Sequence, residues 1–111
     1  MPKYFNPTHK PTDLEVQLFR VFGYRTKPQF ARILQFLLQV KIARKSVVSK
    51  QISVLLKLEP SSVVLWIREL EAAGFILIGR RTRKGPNPGC ALSLTPKALT
   101  ILMHAGVPMS A

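Results

Sequence analysis

The middle of the chain, residues 48–95, constrains the fold most, because two helical patterns there are separated by residues that interrupt helices. Pro60 lacks a backbone N–H and clashes with the preceding turn, so a helix begun at Ser49 must end before it. Gly74 can adopt the left-handed conformation that ends a helix, and a run of apolar residues with high strand propensity, 75–78, follows at once. The sequence therefore predicts two short helices followed by a β-hairpin that closes near Thr95.

The apolar spacing of these two helices predicts which of their faces are buried. In the first helix, which Ser49 is predicted to cap, the apolar positions recur at spacings of three and four, at Ile52, Leu55 and Leu56. In the second helix, capped by Ser61 or Ser62, one apolar stripe contains Val63, Trp66, Ile67 and Leu70. Because a helix has one face toward its core, Val64 and Leu65 are expected to point outward.

Residues 61–76 resemble the recognition helix of MarR-type winged-helix regulators, and residues 94–99 resemble the segment that follows the wing in that family. The likeness covers about half the chain. It implies a mainly α-helical, α+β fold, a winged helix-turn-helix domain with extra N-terminal helices. It also implies a dimer that binds double-stranded DNA at a palindromic site and represses transcription by occluding a promoter. The chain departs from the family in lacking an acidic residue at the base of the wing. It also carries Val64 and Leu65 where the family usually has Ser and Arg, so base discrimination is expected to be modest.

The charge balance predicts an anionic partner. Seventeen Lys and Arg residues face five acids, a formal net charge of +12, and no acid follows Glu71. Such an excess costs stability through self-repulsion unless a partner neutralises it. Nucleic acid is favoured over a membrane surface, since no segment combines a basic face with a separate apolar face. The N-terminus lacks an apolar signal core and no apolar run approaches a membrane span, so a cytoplasmic location is expected.

The hairpin tip carries the strongest functional signal. Arg80, Arg81, Arg83 and Lys84 precede a turn-rich stretch at residues 85–89, which favours a protruding loop. Cations on such a loop can contact the sugar-phosphate backbone or enter a narrow minor groove.

The two ends of the chain complete the predicted organisation as one domain, residues 12–111, preceded by an extended arm at residues 1–11. Residues 12–43 form N-terminal helices, 46–95 the helix-turn-helix and wing, and 96–111 a C-terminal helix and tail. The helix from Pro28 to Lys41 is apolar nearly all round, which favours a homodimer interface, although both N-terminal helices could instead fold over the domain. The pair Val47 and Val48 could add a third strand beside the hairpin.

The predicted DNA contacts lie on both helices and on the wing. They are Lys50, Gln51, Ser61, Ser62, Val64, Leu65, Arg68, Arg80, Arg81, Arg83 and Lys84. No catalytic, metal or cofactor site is expected, because the histidines and acids lack the required spacing and Cys90 reads as a small core residue. Two alternatives stay open: a replication or partition accessory protein that binds DNA, and an adaptor that binds protein through Val64 and Leu65.

Overall fold

The computed structural model describes residues 13–82 and 89–107, with residues 80–82 described by their backbone alone. The predicted arm at residues 1–11 therefore lies outside the described residues. Within them the chain is mainly helical with one antiparallel two-stranded hairpin, which confirms the predicted α+β class. In chain order the elements are α1 (Asp13–Phe22), a 3-10 turn (Gly23–Arg25), α2 (Pro28–Ile42), α3 (Ser49–Leu55), α4 (Pro60–Ala72), β1 (Ile76–Thr82), β2 (Gly89–Leu94) and α5 (Pro96–His104).

Helix α2 lies at the centre of the fold. It packs against α1, α5 and strand β2, so different neighbours cover different sides of it. Its buried residues are Phe30, Ala31, Ile33, Leu34, Leu37 and Leu38. Elements of its own chain therefore cover these residues, as in the alternative in which the N-terminal helices fold over the domain. Because α1, α5 and the hairpin bury it within one chain, its all-round apolar character does not require a second copy, and a dimer stays a prediction.

Helices α2 to α5 all end in the same way, with a residue of positive φ after the last turn. These residues are Arg44, Lys57, Gly74 and Gly106. In each case the next N–H reaches back to a carbonyl five residues earlier, as Leu58 does to Ser53 at 2.8 Å and Phe75 to Leu70 at 2.9 Å. This is the Schellman arrangement, in which glycine is usual because it has no Cβ to strain the left-handed backbone. Gly74 meets this expectation, whereas Arg44 and Lys57 carry the strain.

Replacing Lys57 by glycine is expected to raise the free energy of unfolding by about 0.5–1 kcal/mol, because relief of left-handed strain exceeds the extra entropy of the unfolded chain. Urea denaturation measures the change. The matched control is Lys50→Gly, which removes the same charge inside α3 and should lower the free energy of unfolding by a similar amount. Equal destabilisation by both substitutions would contradict the prediction.

The hairpin contains a register shift just before its basic residues. Ile76, Leu77 and Ile78 pair with Leu94, Ser93 and Leu92 in sequence, whereas Arg81 pairs with Cys90. Two residues of β1 thus oppose one of β2, a β-bulge that bends a strand and increases its twist. The predicted third strand is not formed. The segment before α3 contributes one backbone bond, from the Leu92 N–H to the Val47 carbonyl at 2.9 Å, because the chain turns into α3 directly afterwards.

The start of α5 fixes the end of α4. The Thr95 hydroxyl donates to the Gly74 carbonyl and also accepts from the Ala98 N–H. Lys97 Nζ donates to the Ala73 carbonyl at 2.8 Å and lies 5.2 Å from the centre of the Phe75 ring. These contacts satisfy carbonyls at the C-terminus of α4 with a hydroxyl and a cation, both favourable there. They hold α4, the hairpin and α5 in one arrangement.

Candidate nucleic-acid interface

The N-terminus of α4 is capped by Glu59, so the predicted cap at Ser61 or Ser62 is wrong. Pro60 occupies the first helical position, which makes the residue before it the N-cap. The Glu59 carboxylate accepts from the Ser61 hydroxyl at 2.6 and 2.7 Å, and from the hydroxyl and N–H of Ser62 at 3.0 and 3.3 Å. Ser61 and Ser62 therefore act as donors to Glu59.

This capping arrangement changes the electrostatics of the predicted phosphate contact. Hydrogen bonds from the Ser61 and then the Ser62 side chains lower the pKa of Glu59 below its ordinary value of 4.5. A lowered pKa means that Glu59 stabilises the fold above pH 4.5 and loses that contribution as the pH falls through its folded value. The helix N-terminus thus already holds an anion, and both hydroxyls point to it. A phosphate at Ser61 or Ser62 would have to compete with this carboxylate.

Helix α3 presents an exposed apolar face that its residue spacing did not predict. The N-cap residue of α3 is Val48, not Ser49 as predicted. The Val48 N–H donates to Gln51 Oε1 at 2.9 Å, so the Gln51 side chain caps the start of the helix. Leu55 was expected on the buried stripe, but it is 60% exposed and Val54 is 66% exposed. Because α3 has only seven residues and buries Ile52 and Ser53, its opposite side is left uncovered.

The predicted contacts on α3 lie along this uncovered face. Lys50 is exposed, and together with Gln51, Val54 and Leu55 it lines a shallow pocket of about 240 Å³. The structure thus places both predicted polar contacts beside apolar side chains.

A groove of about 290 Å³ separates α4 from the hairpin. Val64 and Arg68 line it from α4, facing Ile78 and Cys90 on the two strands, with Ser49 at the start of α3. Val64 is 41% exposed and Leu65 is 62% exposed, so their predicted outward orientation is confirmed. Cys90 is only half-buried and borders the groove, so the prediction that it is a core residue is wrong.

The hairpin extends the groove toward the basic residues of the sequence. The backbone of Arg80 and Arg81 belongs to β1, which continues past the Ile78 wall of the groove. Arg83 and Lys84 lie outside the described residues. Val64 and Arg68 of α4 therefore line a groove beside β1, the strand whose backbone continues into Arg80 and Arg81.

No protein-family model matches this chain, and no curated protein matches it. Among the described residues, no group of three or more His, Cys, Asp or Glu side chains could hold a metal ion. Nor does any helix in the described ranges have the length and apolar character needed to cross a membrane.

Proposed function

We propose that this chain is a winged helix-turn-helix protein that binds double-stranded DNA and regulates transcription, acting as a dimer. The observation that carries the proposal is the groove between α4 and the hairpin. One wall presents Val64 and Arg68, and the strand forming the other continues into Arg80 and Arg81. The net charge of the chain is +12. This surface therefore suits double-stranded DNA, a polyanion whose major groove admits an α-helix.

The order of elements supports the winged-helix part of the proposal. Helices α3 and α4 are joined by a tight turn, the antiparallel hairpin follows α4 directly, and the segment before α3 lies beside β2 through the Val47 carbonyl. In proteins of this kind the second helix enters the major groove and the hairpin contacts the flanking backbone. Helix α4 would therefore approach base edges, while Arg80 and Arg81 neutralise phosphates.

The chemistry of α4 favours modest sequence discrimination. Val64 and Leu65 can contact thymine methyl groups, but they lack the paired donors and acceptors that give a bidentate side chain its selectivity. Arg68 is the exposed cation on the same helix. Glu59 opposes phosphate at the helix N-terminus, so affinity must come mainly from the cations of the hairpin and from DNA shape.

Fluorescence anisotropy with a labelled duplex at several salt concentrations tests the proposal. We expect log affinity to fall linearly with log salt, because phosphate neutralisation releases counterions. Glu59→Asn retains a capping oxygen and removes the opposing charge, so we expect about threefold to tenfold tighter binding at low salt. Glu71→Gln is the control, an exposed acid near the far end of α4. No binding to duplex DNA, or equal effects of the two substitutions, would contradict this placement of DNA.

A second function, binding of a protein partner, is favoured by the exposed apolar residues. Val54, Leu55 and Leu65 are each at least 60% exposed, and apolar surface of this kind also suits a protein interface. Leu65→Ala, measured against a selected DNA site and against random DNA, separates the two functions. Loss on the selected site alone supports base contact by Leu65. Unchanged binding to both DNAs excludes base contact by Leu65, and loss of a partner complex in the same variant would assign the residue to a protein surface.

A further inference from the structure

A second cleft, which shares no lining residue with the groove between α4 and the hairpin, is bordered by a carboxylate that has one unpaired oxygen. Among the side chains that the structure describes, Glu69 Oε2 is the buried polar atom without a hydrogen-bond partner. Glu69 lies on α4 and lines a cleft of about 360 Å³ between α4, the end of α1 and the start of α5. A buried acceptor of this kind costs free energy unless a donor satisfies it, which makes the cleft a candidate ligand site.

Two cations line the same cleft. Arg25 reaches it from the turn after α1 and Lys97 from α5. The Lys97 ammonium uses one donor on the Ala73 carbonyl at 2.8 Å, and an ammonium has three. Both side chains therefore offer donors to a carboxylate, and the guanidinium of Arg25 can bind one in a bidentate manner.

The remaining wall is apolar. Val21 and Phe22 line it from the last turn of α1, and Phe22 packs onto the core against Phe30, with ring centres 4.8 Å apart. The cleft thus combines an anionic acceptor, two cationic donors and an apolar wall, the mixture of polar and apolar groups that small-molecule sites use.

We propose that this cleft binds a free α-amino acid with an apolar side chain. The ligand ammonium pairs with the Glu69 carboxylate, its own carboxylate lies between Arg25 and Lys97, and its side chain contacts Val21 and Phe22. An ammonium is favoured over a neutral donor because the acceptor is a carboxylate, and charge-assisted hydrogen bonds are the stronger ones. A water molecule in the cleft would give the two cations no counter-charge, whereas the ligand carboxylate does.

Titration of the full ¹⁵N-labelled chain with L-phenylalanine, L-leucine and L-methionine tests the proposal by NMR, without DNA. At least one of them should shift the amide signals of residues 21–25 and 69–73, with a millimolar or tighter dissociation constant. Two analogues of phenylalanine dissect the site: 3-phenylpropanoate lacks the ammonium and phenethylamine lacks the carboxylate. Each should bind roughly tenfold or more weakly, because it leaves charged groups of the site unpaired.

Substitutions in the cleft provide the second arm. Glu69→Gln and Arg25→Gln should each weaken the amino acid roughly tenfold or more, and Glu71→Gln, outside the cleft, should leave its affinity unchanged. Since Glu69 Oε2 makes no hydrogen bond, Glu69→Gln removes none and should fold. Absence of shifts at about 10 mM of all three amino acids, or binding indifferent to Glu69→Gln and Arg25→Gln, would overturn the site. Because no DNA is present, that failure would leave the proposed DNA binding untouched.

Discussion

Replacing both Arg80 and Arg81 by glutamine is expected to weaken binding to duplex DNA about a hundredfold near physiological salt, the largest effect on function that the proposal predicts. Both residues lie on β1, beyond the groove that Val64 and Arg68 line. Each neutralised phosphate contact contributes about one unit to the slope of log affinity against log salt, so the slope should fall by about two. The weakening should be similar for selected and random sequences, because phosphates carry no sequence information.

The control for this measurement is a chain in which Arg20 and Lys27 are replaced by glutamine. Both are exposed residues of the N-terminal helical region, and the double substitution lowers the net charge equally. We expect it to change affinity much less and to leave the salt slope nearly intact. If the two double variants behave alike, the hairpin has no special part in binding, and the effect belongs to net charge alone.

Replacing Phe30 by alanine is expected to lower the free energy of unfolding by about 3–5 kcal/mol, a large part of the total for a domain of this size. Phe30 on α2 is completely buried, and its ring centre lies 4.8 Å from that of Phe22 on α1, which in turn lies 5.8 Å from that of Phe75. The three rings join α1, α2 and the chain just after α4. Removing the Phe30 ring leaves a cavity beside Phe22 in the core of the domain.

Chemical denaturation followed by circular dichroism measures this loss. The aromatic control is Tyr24→Ala, because Tyr24 is 84% exposed and meets Phe19 edge to face at 6.1 Å. Its removal should cost about 1 kcal/mol or less. A loss from Phe30→Ala no larger than that from Tyr24→Ala would show that the ring cluster does not hold the helices together.

The dimer prediction has a different basis once the fold is known. Helix α2 is buried by its own chain. Leu38 is only 2% exposed, so it offers almost no surface to a second copy in the folded domain. The exposed apolar side chains of Val54, Leu55, Leu77 and Met103 are where a second copy could add burial. A dimer therefore stays a prediction that depends on these surfaces.

Local rules of backbone and side-chain chemistry sufficed for much of the central region. Gly74 ends α4 because its left-handed φ carries no Cβ strain, and Pro60 begins α4 because a proline needs no hydrogen-bond acceptor in the first turn. The buried stripe of Val63, Ile67 and Leu70 also follows from helical spacing alone. The Glu59 cap also has a local signal, since a proline at the first helical position makes the preceding residue the N-cap.

By itself, then, the sequence determined the order of α3, α4 and the hairpin, the end of α4 at Gly74, the outward position of Val64 and Leu65, and the net charge, because these depend on neighbours along the chain. Only the tertiary structure decided which apolar faces find cover: it buries α2 on several sides and leaves Leu55 exposed. It also decided that Cys90 borders a groove and that Glu69, Arg25 and Lys97 line one cleft. Periodicity identifies an apolar or charged face, but burial and pairing depend on which distant element packs against that face.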